Sequence, residues 1–208
     1  AAYAYDEWPI RSLPDEVPTA NDLLPYDVVI WSAPEDAPGY IGAEDTVTGY
    51  LSAGGRLFLT GQDVGYLDGS GLSFLSPYYQ GYLKAVFVQD DADIWTLEGT
   101  LGDLFAGLTI TITGAGGADN QGYPDEIAVY DTDAAAAVFA YQGGGYGGVR
   151  ASTCLDYRTL YLSFGFEAIS DRAARHEVMS RTLAWLAAAP STAALELTPS
   201  TQTHVGPP

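Results

Sequence analysis

The segment from residue 54 to residue 65, GGRLFLTGQDVG, limits the fold of this 208-residue chain more than any other. It predicts a buried strand that runs directly into a tight glycine turn, with Asp63 between Gly61 and Gly65. That spacing has the shape of the strand-to-helix elbow that presents the nucleophile in α/β hydrolases. We therefore expect an α/β fold in which Asp63 lies at the carboxyl end of a strand.

Two elements that precede the turn complete a β-α-β unit. Residues 27–31 are a continuous apolar run, which predicts a strand buried on both faces. Residues 44–52 predict a helix, because acidic side chains occupy its first turn and two glycines follow its end. A crossover of this kind joins parallel strands, so we predict a mainly parallel sheet with functional groups at the carboxyl ends of its strands.

The remainder of the domain alternates between β-like and helical segments. Short apolar runs between residues 86 and 141 are separated by Gly, Asp and Asn, which predicts a β-rich insertion or edge hairpins. A helix is expected to begin near Pro77. Residues 159–164 predict another buried strand, and residues 171–189 predict an amphipathic helix.

Composition divides the chain into a domain and a tail. Residues 1–189 are predicted to form one α/β domain. Residues 190–208 are rich in Pro, Ser, Thr and Ala, which predicts a linker into a following module. A doubly wound sheet normally has an earlier strand, and here that strand is either formed by residues 1–10 or missing.

The charge of the chain excludes one class of partner. Its 27 acidic and 8 basic residues give a formal net charge of −19. Such a surface repels a phosphate backbone, so we expect no nucleic acid partner. No apolar run reaches the roughly 18 residues of a membrane-spanning helix, so no membrane insertion is predicted. Low lysine content and strong acidity favour an extracellular or cell-surface location.

Residues 26–31, 50–65, 118–125 and 162–169 form a set of four recognisable segments. Together these segments resemble the class I glutamine amidotransferase-like accessory domains of secreted multidomain bacterial proteins, notably those that carry subtilisin-like peptidase modules. The resemblance implies a flavodoxin-like three-layer sandwich that is exported as part of a larger polypeptide. The tail is similar to the start of the immunoglobulin-like module that often follows such domains.

The residues at the expected catalytic centre differ from those of active members of the wider fold. Those members use a cysteine at the elbow, with a histidine and a carboxylate just after a later strand. This chain has Asp63 at the elbow and Phe166 in the region of the histidine. The resemblance therefore implies the fold without the chemistry. The leading hypothesis is a non-catalytic binding or spacer domain whose partners are other domains of the polypeptide, a protein or a polysaccharide.

Two other functions stay open. Asp63 and Glu167 follow predicted strands and could serve as the acid and base of a hydrolase-like enzyme. The structural alternatives are that Asp63 caps the next helix or holds the turn, and that Glu167 is a solvated loop residue. The third hypothesis is a carbohydrate-binding accessory module that presents exposed tyrosines, from the set Tyr78, Tyr79, Tyr82, Tyr123 and Tyr146.

Two acidic segments carry oxygen ligands of the type that calcium uses. The first holds Asp90, Asp91 and Asp93, and the second holds Asp119 and Asp125. Neither matches the spaced Asp-x-Asp-x-Asp-Gly loop, so structural calcium and a merely solvated acidic loop are both open. No other cofactor is predicted.

Three further patterns have simpler explanations. Gly143, Gly145 and Gly148 fit a phosphate-binding glycine pattern, but β-like segments flank them, which predicts a hairpin loop. Cys154 lacks an elbow, and His176 lies in the amphipathic C-terminal helix. We therefore expect a small buried thiol and a surface histidine.

Overall fold

The computed structural model describes residues 3–72, 75–153 and 157–189. Within these ranges the chain is an α/β protein. The strands are β1 (Val29–Ser32), β2 (Arg56–Thr60), β3 (Ala85–Gln89), β4 (Thr96–Gly99), β5 (Thr109–Thr111), β6 (Glu126–Val129), β7 (Ala135–Tyr141), β8 (Tyr146–Ser152) and β9 (Arg158–Leu162). The helices are α1 (Ala20–Leu23), α2 (Glu44–Ser52), α3 (Pro77–Gly81) and α4 (Arg172–Ala187), with a π-helical turn at Gly65–Gly69 and a 3-10 helix at Phe166–Ala168.

The nine strands form one mixed sheet in the order β1-β2-β9-β8-β7-β4-β5, with β6 joining β8 to β3. In the described part of the chain, β1 with β2 and β2 with β9 are the parallel pairs. The other pairings are antiparallel. The prediction of a mainly parallel sheet is therefore wrong, because the strands between residues 85 and 152 are joined by loops and not by helical crossovers.

The β-rich region is part of the main sheet. Its last strand, β8, pairs along β9 from Gly148↔Leu162 to Ser152↔Arg158, which makes the antiparallel half continuous with the parallel half. The strands expected to form an insertion or separate edge hairpins therefore belong to the main sheet. Gly143 to Gly145 link β7 to β8 with positive φ angles of 119°, 125° and 76°, which confirms the predicted hairpin loop.

The centre of the sheet separates two hydrophobic clusters. Leu57, Leu59 and Tyr161 face the cluster that contains the buried side chains of α2 and α3. Phe58 and Leu160 face the other cluster, which contains Val178 and Leu186 of α4. Because successive side chains of a strand point to opposite faces, β2 and β9 are buried on both sides and hold their carboxyl ends in place.

Strand β1 lies at the edge of the sheet and pairs with β2 alone among the described strands. Ile30 is 47% exposed, so the prediction that this strand is buried on both faces is wrong. Residues 3–10 form no strand and therefore do not supply the predicted first strand, while residues 1 and 2 lie outside the described residues. The predicted linker, residues 190–208, also lies outside them.

Several local predictions are confirmed. α2 and β2 have the predicted bounds, and α4 lies within the predicted helix 171–189. The helix expected near Pro77 is α3, which is only five residues long. No helix in the described ranges is long and apolar enough to span a bilayer.

Candidate functional site

The predicted elbow lies where the parallel strands β2 and β9 end side by side. A Cβ atom on Gly61 would lie 1.9 Å from the carbonyl oxygen of Ala33, so only glycine fits this position. The Thr60 hydroxyl donates to the carbonyl oxygen of Phe164 at 2.7 Å and accepts from the Phe166 amide at 2.8 Å. These contacts fix the two strand ends together and place the turn at the carboxyl edge, where α/β proteins carry their sites.

Asp63 is half-buried at this turn. Its backbone oxygen accepts from the Leu67 amide at 2.9 Å, but no hydrogen bond or ion pair to its carboxylate is found within the described residues. Burial raises its pKa to about 6, and the negative charges of Asp90 and Glu35 add to the rise. The side chain therefore neither caps the next helix nor holds the turn, and its charged form is disfavoured.

Glu167 belongs to the 3-10 helix that follows β9. Its Oε1 atom accepts from Asn120 Nδ2 at 3.0 Å, and its backbone oxygen accepts from the Ala118 amide at 3.0 Å. The charges that raise the Asp63 pKa come from other carboxylates. No hydrogen bond joins Asp63 to Glu167 in the described part of the chain, so Glu167 is held by the loop of residues 113–125.

The loop of residues 113–125 lies across the ends of β2 and β9. Gln62, which is buried, accepts from the Gly122 amide at 2.7 Å and the Tyr123 amide at 3.1 Å. On the β9 side, the Gly165 amide donates to Gln121 Oε1 at 2.7 Å. The loop is therefore anchored on both sides of the elbow.

Asp125 ends this loop and lies behind the elbow. It is 0% exposed, and its Oδ2 atom accepts from the Gly65 amide at 2.8 Å and the Tyr66 amide at 3.2 Å. Burial raises its pKa to about 9; the two amide hydrogen bonds oppose the rise, and Asp63 contributes to it. Asp125 is thus protonated near neutral pH and caps the π-helical turn.

Asp68, which belongs to the π-helical turn, is a second buried carboxyl group bonded to other segments. Its Oδ2 atom accepts from the Gly39 amide at 2.7 Å and from the Tyr78 hydroxyl at 2.6 Å. It is fully buried, which raises its pKa, and its charge contributes to the raised pKa of the half-buried Asp36. Sequence reasoning missed Asp68, because the partners that bury it lie in two other segments.

Two of the predicted calcium ligands, Asp91 and Asp119, accept hydrogen bonds within local turns. Asp91 Oδ1 accepts from the Asp93 amide at 2.9 Å, and both residues have positive φ angles, 57° and 49°. Asp119 Oδ1 accepts from the Thr113 hydroxyl at 3.0 Å and the Gly114 amide at 2.7 Å. Across residues 3–72, 75–153 and 157–189, no three His, Cys, Asp or Glu side chains are grouped to hold a metal ion.

The tyrosines proposed as a sugar platform are divided between core and surface. Tyr78 and Tyr79 are fully buried, whereas Tyr123 and Tyr146 are exposed. His176 is exposed, as predicted, and Cys154 lies outside the described residues. The proposed set of tyrosines therefore does not form one continuous surface.

Comparisons with known proteins show the fold. No protein-family model matches the sequence, and no curated protein matches it. The N-terminal domain of mmIFT52 is 13% identical, covers 83% of this chain and 82% of its own, and gives a TM-score of 0.56. A putative GMP synthase component from Thermoplasma acidophilum is 13% identical, covers 81% of this chain and 76% of its own, and gives a TM-score of 0.52. These likenesses show a shared α/β fold alone.

Proposed function

We propose that this chain is a non-catalytic binding domain of a larger exported polypeptide. The observation that carries the proposal is the elbow, where Asp63 has no hydrogen-bonded base or acid among the described residues. Covalent catalysis needs a nucleophile that a neighbouring group activates, and a site with the two in hydrogen-bond reach. The strand and turn that would carry such a site are present. A hydrogen-bonded pair of nucleophile and base is lacking in the part of the chain that the structure describes.

The electrostatics of the elbow support the same proposal. Acyl-transfer intermediates carry a developing negative charge, which active sites stabilise with free amides or cations. Here Asp90 and Glu35 add negative charge around Asp63. The amides of Gly65 and Tyr66, which begin the turn, are already bonded to Asp125. An oxyanion at this position would therefore be disfavoured.

We further infer that β1, β2 and β9, with helices on both faces, are a flavodoxin-like core to which the antiparallel strands are added. The four segments that resemble amidotransferase-like accessory domains include β1, β2 and the elbow. This resemblance supports a place beside other domains, such as a subtilisin-like peptidase module, in an extracellular or cell-surface protein. The polypeptide's other domains are then its first partners.

The test is a search for turnover that depends on the elbow. The purified chain and its Asp63→Ala and Glu167→Gln variants are assayed for amide, ester, peptide and glycoside hydrolysis. We expect no turnover above background, and thermal unfolding of all three proteins shows that the variants are folded. Turnover that Asp63→Ala abolishes without lowering the Tm would overturn the proposal.

A hydrolase-like enzyme stays the second candidate, because a carboxyl pKa raised to about 6 is typical of catalytic acids and bases. That function predicts a rate that changes with a pH midpoint near 6 and is lost in Asp63→Asn. A carbohydrate-binding module, the third candidate, predicts retention on a polysaccharide column that does not depend on Asp63.

A further inference from the structure

A groove lies along the free edge of the sheet, beside β1. It is a cavity of about 430 Å³ between β1 and the segment of residues 6–10. Its walls include Trp8, Tyr26, Ile30 and Trp31. This volume lies within the range of about 300–1,000 Å³ that is common for ligand sites.

The backbone of β1 inside the groove has a free edge. The Ala33 amide donates to the carbonyl oxygen of Thr60 at 2.8 Å, so Ala33 points towards β2. Because the backbone groups of a strand alternate in direction, those of Ile30 and Ser32 point away from β2. No hydrogen bond to their amides or carbonyl oxygens is found in the described segments.

The opposite wall is fixed in place by the chain itself. Trp8 Nε1 donates to the carbonyl oxygen of Glu16 at 2.8 Å, and the Tyr26 hydroxyl donates to Asp6 Oδ2 at 2.9 Å. The segment therefore stands beside β1 without pairing with it. These two hydrogen bonds occupy polar side chains of the wall that a bound sugar would need. The unpaired amides and carbonyl oxygens on the free edge of β1 are spaced to pair with an extended peptide.

The negative charge of the groove favours a basic peptide. Asp6, Glu7 and Asp36 line it, and no Lys, Arg or His is found among the described residues that line it. Asp36 is half-buried with no hydrogen bond to its carboxylate in the described ranges, and burial together with the charge of Asp68 raises its pKa. A cationic side chain beside Asp36 would stabilise the charged form of its carboxyl group.

We propose that the free edge of β1 binds an extended basic segment of a partner protein by strand addition. The backbone of the segment pairs with Ile30 and Ser32, its apolar side chains contact the aromatic walls, and its Lys or Arg side chains face Asp36 and Glu7. The inference rests on the proposed function, a binding domain, and names its class of partner.

The probe is a blocked hexapeptide of alternating lysine and valine, titrated into the full chain by calorimetry. Two control peptides have glutamate in place of lysine or N-methyl groups on alternate amides. We expect the lysine–valine peptide to bind and each control to bind at least about tenfold more weakly, because strand addition depends on charge and on backbone hydrogen bonds. Equal binding of all three peptides, or no binding, overturns the proposal.

Variants of the chain localise the site. Ile30→Pro removes the outward amide but keeps the ladder to β2, since proline is tolerated on edge strands, and we expect at least a tenfold loss of affinity. Asp36→Asn is expected to weaken binding about three- to tenfold. Asp133→Asn, an exposed aspartate outside the groove, is the charge control and leaves affinity unchanged. Thermal unfolding confirms that each variant is folded.

Other results separate the inference from the proposed function. If Ile30→Pro is folded and binds the peptide with unchanged affinity, the edge is not the site and the inference fails. If a soluble polysaccharide quenches Trp8 fluorescence and the peptide does not bind, the groove takes glycans and the inference also fails. In both cases a chain without Asp63-dependent turnover still fits a binding domain.

Discussion

Asp125 accepts a hydrogen bond from the Gly65 amide at 2.8 Å, across 60 residues of sequence. The first turn of a helix leaves amides unpaired, and a local Ser, Thr, Asp or Asn usually accepts from them. Here a carboxyl group from the loop of residues 113–125 does so. The geometry of the elbow therefore depends on a distant segment, and the two parts of the chain are expected to fold together.

Gly65 tests this dependence. A Cβ atom at Gly65 would lie 2.7 Å from Asp125 Oδ2 and 2.9 Å from the Tyr79 hydroxyl. We expect Gly65→Ala to lower the free energy of unfolding by about 1–3 kcal/mol, because these buried groups must move. Gly81→Ala is the matched control, since nothing lies within 4 Å of its added methyl group. Urea unfolding of both variants measures the difference, and equal stabilities would contradict the packing described here.

The raised pKa values of Asp125 and Asp63 predict how stability changes with pH. A carboxyl group that binds its proton more tightly in the folded state contributes stability that is complete below its unfolded pKa of 3.8 and is lost as pH rises to its folded pKa. The folded values are about 9 for Asp125 and about 6 for Asp63. We therefore expect the Tm to fall between pH 5 and pH 9, by up to about 3 °C per pH unit.

The Asp125→Asn variant separates the two contributions. An asparagine oxygen can still accept from the Gly65 and Tyr66 amides, but it has no proton to lose in this range. Calorimetry of the variant should therefore show a smaller fall in Tm between pH 6 and pH 9 than that of the wild type. A slope equal to that of the wild type would show that Asp125 is not the group that titrates.

Asp63 can be observed directly by its own titration. Carbon-detected NMR of the labelled chain should give a pKa of about 6 for its carboxyl group. Asp90→Asn removes a nearby negative charge and should lower this pKa, whereas Asp133→Asn should leave it unchanged. A wild-type pKa close to 3.8 would mean that the elbow is open to water, and the electrostatic argument against an oxyanion would lose its support.

The parts of the fold that could be predicted from sequence are those with local causes. The bounds of α2 follow from acidic residues in its first turn and from the glycine pair after its end. β1 was located correctly, but its exposure depends on strand order, and a continuous apolar run does not distinguish an edge strand from a central one. The sequence also predicts strands between residues 86 and 141, but it does not predict that they join the main sheet, since pairing partners are set by contacts between distant segments.

At the candidate site, too, the features with local causes could be predicted from the sequence and those set by distant segments could not. The position of Asp63 at a strand end follows from the glycines around it. Its environment does not, because the charges of Asp90 and Glu35 come from two other loops. The acidic neighbours of Asp125 predict either a calcium ligand or a solvated loop residue, whereas Asp125 lies buried against the elbow. Hydrogen bonds over such distances leave no periodic signal in a single sequence.

Gln62 gives the last prediction, because it connects the elbow to the loop of residues 113–125. Its buried side-chain oxygen accepts from the Gly122 and Tyr123 amides at 2.7 and 3.1 Å. Gln62→Met keeps the volume but removes the acceptor, so two amides lose their partner at a cost of about 1–3 kcal/mol. Gln142→Met is the matched control, because Gln142 is exposed and, among the described residues, its side chain bonds to Glu98 alone.

Hydrogen exchange shows whether the loss is local. In Gln62→Met the amides of Gly122 and Tyr123 should exchange faster than in the wild type, and those of β9 should not. Protease cleavage in the loop of residues 113–125 should become faster in the same variant. If the exchange rates of Gly122 and Tyr123 stay at their wild-type values, the loop is held by its contacts with β9, and the elbow can change without it.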